Sequence, residues 1–316
     1  MTLSFDEGTK TAFLFPGQGA QAVGMGLELY EGSKAAKDVF EQVDDALGRP
    51  LSKILFEGPE DELRETINAQ PGIMAVSLAC LQAIKETVGE DNVSPPLFMA
   101  GHSLGEYTAL AAAGVMSIKD TALLVQKRGE LMQEACDANP GTMAAILGMD
   151  ESTLQDIAVA SGVFISNINT QEQIVISGEK AAVGVAMNMA SDQGAKKVIP
   201  LNVGGAFHSG LMEPAKSGLI DAVNQVDFEI STVPIVANCS GEPVTKPDEI
   251  RDELITQISA CVQWKKSVDF MIKSGVTDFV EIGPGRALTG MVRRIDRGPN
   301  TFNVSDLDAV KNLKSS

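Results

Sequence analysis

Short apolar runs that end in glycine alternate along this chain with longer stretches of helical periodicity. Thr11-Ala-Phe-Leu-Phe15 stops at Pro16-Gly17, Leu97-Phe-Met-Ala100 runs into Gly101, and Phe279-Val-Glu-Ile282 runs into Gly283-Pro284-Gly285. Runs this short, bounded by turn residues, predict strands buried on both faces. A helical pattern follows each, the order in which open α/β sheets carry sites beyond their strand ends. Glu28 to Ala46 reads as one helix and Ile118 to Ala135 as another.

From about Gly141 to Val203 the rhythm changes. Thr142 to Met149 is strand-like and Glu151 to Ser161 helical; Val163 to Ile168 and Gln173 to Ser177 are strand-like. Glu179 to Gln193 is helical again, and Lys196 to Leu201 closes with a strand. The order βαββαβ predicts a ferredoxin-like unit whose lower edge walls a cleft. Residues 139–203 are therefore expected to form an inserted small subdomain. Residues 1–138 and 204–316 together form a larger α/β subdomain with a mostly parallel sheet.

At 316 residues the chain is long enough for a core of that size. Its net charge of −17 excludes a non-specific grip on nucleic acid or an anionic membrane. The longest small-apolar run, Ala109 to Met116, is far too short to cross a bilayer. The start, Met1-Thr-Leu-Ser-Phe-Asp-Glu-Gly, has neither a signal-peptide core nor transit-peptide character, so a soluble protein is expected. Cys80, Cys136, Cys239 and Cys261 are scattered without a CxxC pair, which predicts free thiols in a reducing compartment. With two histidines in the whole chain, no metal-ligand cluster is expected.

One of those histidines precedes the serine of Gly101-His102-Ser103-Leu104-Gly105. The five-residue pattern alone arises by chance in many chains. Here a strand precedes it and the alanine-rich Glu106 to Gly114 follows, which makes it a nucleophile elbow. A nucleophilic Ser103 needs a base. His102 is tethered to the serine's own backbone and points elsewhere. His208, in Gly204-Gly205-Ala206-Phe207-His208-Ser209-Gly210, becomes the base by elimination; alone it would pass for a packed or surface histidine.

Gly17-Gln18-Gly19-Ala20-Gln21-Ala22 formally matches a dinucleotide fingerprint. No second strand ending in an acid follows at the required distance, so we read it as a turn facing the serine cleft. The backbone N–H groups of Gln18 and Leu104 are candidates for an oxyanion hole. Arg128 lies beside the apolar stripe formed by Leu124, Leu131 and Met132, where a guanidinium must find an anion. Two alternatives stand at this point: an internal salt bridge, or a fork that grips a ligand carboxylate.

Taken together, these motifs resemble the malonyl-CoA:acyl carrier protein transacylase family of fatty acid synthesis, over nearly the whole chain. The marks are Phe15-Pro16-Gly17-Gln18-Gly19, Gly101-His102-Ser103-Leu104-Gly105-Glu106, Arg128, Gly205-Ala206-Phe207-His208-Ser209 with Met212, Gln257 before Val262-Gln263-Trp264, and Glu281-Ile282-Gly283-Pro284-Gly285. The resemblance implies an α/β-hydrolase-like large subdomain carrying the ferredoxin-like one. It implies Ser103 as acylated nucleophile, His208 as base, and Gln18 and Leu104 as oxyanion-hole amides. Arg128 would bind the free malonyl carboxylate. Gln257 matches the position whose backbone carbonyl orients the histidine, and Phe207 the residue typical of malonyl-selective members.

The resemblance also implies a monomer acting on malonyl-CoA and acyl carrier protein, with the CoA thioester and the carrier's phosphopantetheine as substrates and no cofactor. The compartment would be the cytoplasm of a bacterium or the plastid stroma of a photosynthetic eukaryote. Carrier proteins are acidic, as is this chain, so docking needs a basic patch; Lys265 with Lys266, and Arg286 with Arg293 and Arg294, are the candidates. The competing functions are a serine hydrolase that releases the acyl group to water, a polyketide-pathway acyltransferase, and a non-catalytic carrier-docking module.

Overall fold

The computed structural model describes residues 8–313. The first seven and last three residues assigned to the larger subdomain lie outside the described residues. The strands are β1 (Thr11–Phe15), β2 (Phe98–Gly101), β3 (Gly141–Leu147), β4 (Phe164–Thr170), β5 (Gln173–Glu179), β6 (Lys197–Pro200), β7 (Ile235–Val236), β8 (Pro243–Val244), β9 (Asp278–Ile282) and β10 (Asn300–Val304).

They form two sheets. The larger has the order β10-β9-β1-β2-β7-β8, parallel throughout except for antiparallel β8. Every residue of β1 is buried, as a strand covered by helices on both faces must be. Phe15 pairs with Gly101, and Leu14 with Glu281. The carboxyl ends of three neighbouring strands thus lie side by side, and the turns after them converge. A Cβ on Gly283 would collide with the Ser77 hydroxyl and crowd Pro16, so the third turn packs against the first only as glycine.

The central helix, Thr66–Val88, is apolar on nearly every face because protein surrounds it. By length and composition it would pass for a membrane span, yet 89% of the relevant window is buried inside the protein. Without one polar face it shows no amphipathic period. The predicted helix over Glu28 to Ala46 is two helices, Leu27–Gly32 and Lys34–Leu47. Ser33 separates them: it is extended, and its hydroxyl accepts the Ala36 N–H as an N-cap.

The smaller sheet is antiparallel in the order β4-β5-β3-β6. Helices Glu151–Ser161 and Lys180–Asp192 supply a separate core with Ile146, Leu154, Ile157, Ile176 and Val183. A bridge from Asn167 in β4 to Val262 ties this sheet to the segment between the helices Pro247–Gln257 and Trp264–Lys273.

Candidate active site

Ser103 stands between β2 and the helix Leu104–Ala112 with φ 54° and ψ −107°, a conformation that L-residues avoid. Close packing holds it there. A Cβ on Gly101 would overlap the Gly105 backbone, and one on Gly105 would overlap the Phe15 carbonyl on β1. Asn238 clamps the same turn: its side-chain oxygen accepts the Ser103 N–H at 2.7 Å, and its amide donates to Gly101 O at 2.7 Å.

His208 also has positive φ, 55°, in a turn braced by the Ser209 hydroxyl, which donates to Ala206 O and accepts the Leu211 N–H. Its Nε2 lies 2.8 Å from Ser103 Oγ, and its Nδ1 lies 2.9 Å from the backbone oxygen of Gln257. A carbonyl can only accept, so Nδ1 carries the proton and Nε2 turns a lone pair to the serine hydroxyl. Gln257 ends the helix Pro247–Gln257, where carbonyls lack intrahelical donors; its oxygen is free to orient the imidazole. Burial first, and then the charge of Arg128, hold the His208 ring down to about 3. His102 turns away. Its Nε2 meets Asn169 Oδ1 in β4 at 2.9 Å, and its ring packs 5.6 Å from that of Trp264.

Arg128 is 1% exposed. Its Nη1 donates to Gln70 Oε1 at 2.5 Å, and Nη2 donates to Gln257 Oε1 at 2.9 Å and to Ser103 Oγ at 3.1 Å. The Tyr107 ring lies 5.2 Å away. Every hydrogen-bond partner is neutral, and among the described residues no carboxylate lies within ion-pair distance, so the internal salt bridge is not formed. The buried Nε has no hydrogen-bond partner. A desolvated cation with neutral partners is a strong anion receptor.

A buried acid, Glu106, stands one amide further out. Gln257 Nε2 donates to Glu106 Oε2 at 2.7 Å and to Ser103 O at 2.8 Å, while Asn238 N–H donates to Glu106 Oε1 at 2.9 Å. Burial raises the Glu106 carboxyl well above its ordinary range, with the negative charge of Glu253 adding to it; the Asn238 and Gln257 donors and Arg128 oppose that shift.

Gln18 lies in the turn after β1, its side chain donating to Thr66 Oγ1 at 3.3 Å, and Leu104 opens the helix after β2. Because Phe15 pairs with Gly101, these two backbone amides sit at the same end of adjacent strands. Phe207 is buried in the main core, one residue before the base. Of the basic candidates, Lys265 is paired with Asp269 and Lys266 with Glu242. Among the described residues Arg286, Arg293 and Arg294 have no acid within ion-pair distance. Arg293 and Arg294, with Arg297, line a surface cavity of about 690 Å³.

Sequence reasoning missed Glu106, Gln70, Asn169 and Asn238 as parts of this network. Glu106 carried a signal, being an acid in an otherwise apolar helix, the same misfit that singled out Arg128. The other three join the site through contacts 58, 67 and 135 residues apart in the chain, which no local pattern reveals.

Residues 12–305 match the acyl transferase domain family. A Bacillus subtilis malonyl CoA-acyl carrier protein transacylase is 44% identical over 308 residues, covering 96% of each chain. The chain belongs to the malonyl CoA-acyl carrier protein transacylase family. The structure of the acyl-carrier-protein S-malonyltransferase from Bartonella henselae superposes on this transacylase fold with a TM-score of 0.91 at 42% identity, covering 96% of this chain and 98% of that one. A malonyl-transacylase solved in complex with a type II PKS acyl-carrier protein gives 0.90 at 36% identity, covering 96% and 99%. The transacylase architecture thus agrees with the two-sheet α/β fold expected from the sequence.

Proposed function

We propose that this chain transfers the malonyl group from malonyl-CoA to the phosphopantetheine thiol of acyl carrier protein, for fatty acid synthesis, through a malonyl ester of Ser103. The observation that carries this reading is the buried Arg128, uncompensated by an acid and 3.1 Å from Ser103 Oγ. It suits a donor with a free carboxylate at the far end of a short acyl group.

His208 Nε2 takes the Ser103 proton as Oγ attacks the thioester carbonyl. The N–H groups of Gln18 and Leu104 receive the oxyanion, an interaction worth ~3–4 kcal/mol per donor. The C–S bond breaks, His208 returns the proton to the CoA sulfur, and the ester remains on Ser103. The carrier's thiol then gives its proton to His208, attacks the ester, and takes the malonyl group as Ser103 recovers its proton. Every proton moves through one imidazole, and the steps draw on no metal or redox cofactor. The arginine-lined cavity offers the acidic carrier protein a local basic surface on an otherwise acidic molecule.

Intact mass after brief mixing with malonyl-CoA tests the reading. The expected result is one malonyl adduct, absent in Ser103→Ala and discharged when carrier protein is added. Free malonate without carrier would favour the hydrolase instead. Neither adduct nor malonate, together with an unimpaired Ser103→Ala, would favour a docking module.

A further inference from the structure

We propose that Glu106 is a positioning residue that sets acyl selectivity through the side chain of Gln257, an inference that rests on the transfer reaction proposed above. The polarity of one amide is decisive. Gln257 presents Oε1 to Arg128 only while its Nε2 faces the other way, and what it faces is Glu106 Oε2 at 2.7 Å, with Ser103 O at 2.8 Å. Glu106 is held in turn by the Asn238 N–H on its second oxygen, and it is 1% exposed. If the amide were reversed, its NH₂ would meet the guanidinium, two donors face to face. Arg128 would then lose an acceptor beside Ser103. The Glu106 oxygen that accepts from Nε2 therefore decides which end of Gln257 the arginine meets. The base hangs from the same residue, since the Gln257 main-chain oxygen holds His208.

Glu106→Gln is the informative variant because it keeps the shape and the acceptor for Asn238 but puts an NH₂ opposite Gln257 Nε2. The amide of Gln257 is expected to turn over. Acylation of Ser103 by malonyl-CoA should lose roughly 10- to 100-fold in kcat/KM, the range for one hydrogen bond to a charged group. The loss should fall mainly in KM, while acylation by acetyl-CoA changes less than about threefold. Gln257→Met, which keeps the main-chain carbonyl, should show the same drop in malonyl preference. Adding Glu106→Gln to it should then change the preference no further, because the link is already cut. Unchanged malonyl preference in either single variant, or additive losses in the double variant, overturns the proposal alone. Failure of the unsubstituted protein to form a malonyl-Ser103 ester overturns the transfer reading and the proposal with it.

Discussion

An arginine as buried as Arg128 is ordinarily matched to a carboxylate, and the energetic penalty for leaving it unmatched is large. Here amides and a hydroxyl surround it, and on the transfer reaction proposed above the charge is held for a ligand. Arg128→Met should cost about 3–5 kcal/mol toward malonyl-CoA, roughly 10²- to 5 × 10³-fold in acylation rate, with little loss toward acetyl-CoA. Equal losses for the two donors would remove the arginine from carboxylate binding. The same variant should move the base: Arg128 helps to hold His208 down at about 3, so the pH at which acetyl transfer falls off should rise toward the ordinary ~6.5 without reaching it, burial remaining the larger cause. The neutral imidazole also contributes stability that is complete above ~6.5. It is lost as pH falls toward 3, because the unfolded chain takes up the proton first. Ser103, His208 and Arg128 were legible in the sequence because each was scarce or misplaced: a single elbow, two histidines, one charge on an apolar stripe. Gln70 and Asn238 are ordinary polar residues by pattern, and only folding gives them their partners.

At the scale of elements, the three strands that end in glycine turns were legible because burial on both faces writes an unbroken apolar run. The small sheet was legible because its strands and helices alternate regularly. Thr66–Val88 was not, since a helix wrapped by protein loses the period that identifies it. The break at Ser33 was missed for another reason: an N-cap inside a helical pattern looks like one more polar position. The elbow itself depends on glycine at 105, where a side chain would meet backbone that cannot step aside. Gly105→Ala should destabilise the fold at or above the upper end of the ~1–3 kcal/mol typical of overpacking, read as a lowered melting temperature. Wild-type stability together with wild-type acylation of Ser103 would show that β1 and the helix have room to spare.

The whole molecule is acidic, yet three arginines, Arg293, Arg294 and Arg297, line one surface cavity. Reversing two of them, Arg293→Glu with Arg294→Glu, should raise KM for carrier protein about tenfold and flatten its salt dependence, while acylation from malonyl-CoA changes far less. Equal effects on both half-reactions would place docking elsewhere. His208 is oriented by a helix carbonyl. A carboxylate in that position would strengthen the imidazole enough to activate poor acids; a neutral carbonyl does so far less. Thiols ionise near ~8.5 and water near ~15.7, so a weak base separates the two by acidity. On the transfer reaction proposed above, the ester on Ser103 is then sheltered from hydrolysis by the modest basicity of its own neighbour, and transferase behaviour becomes a matter of which nucleophile that base is able to waken.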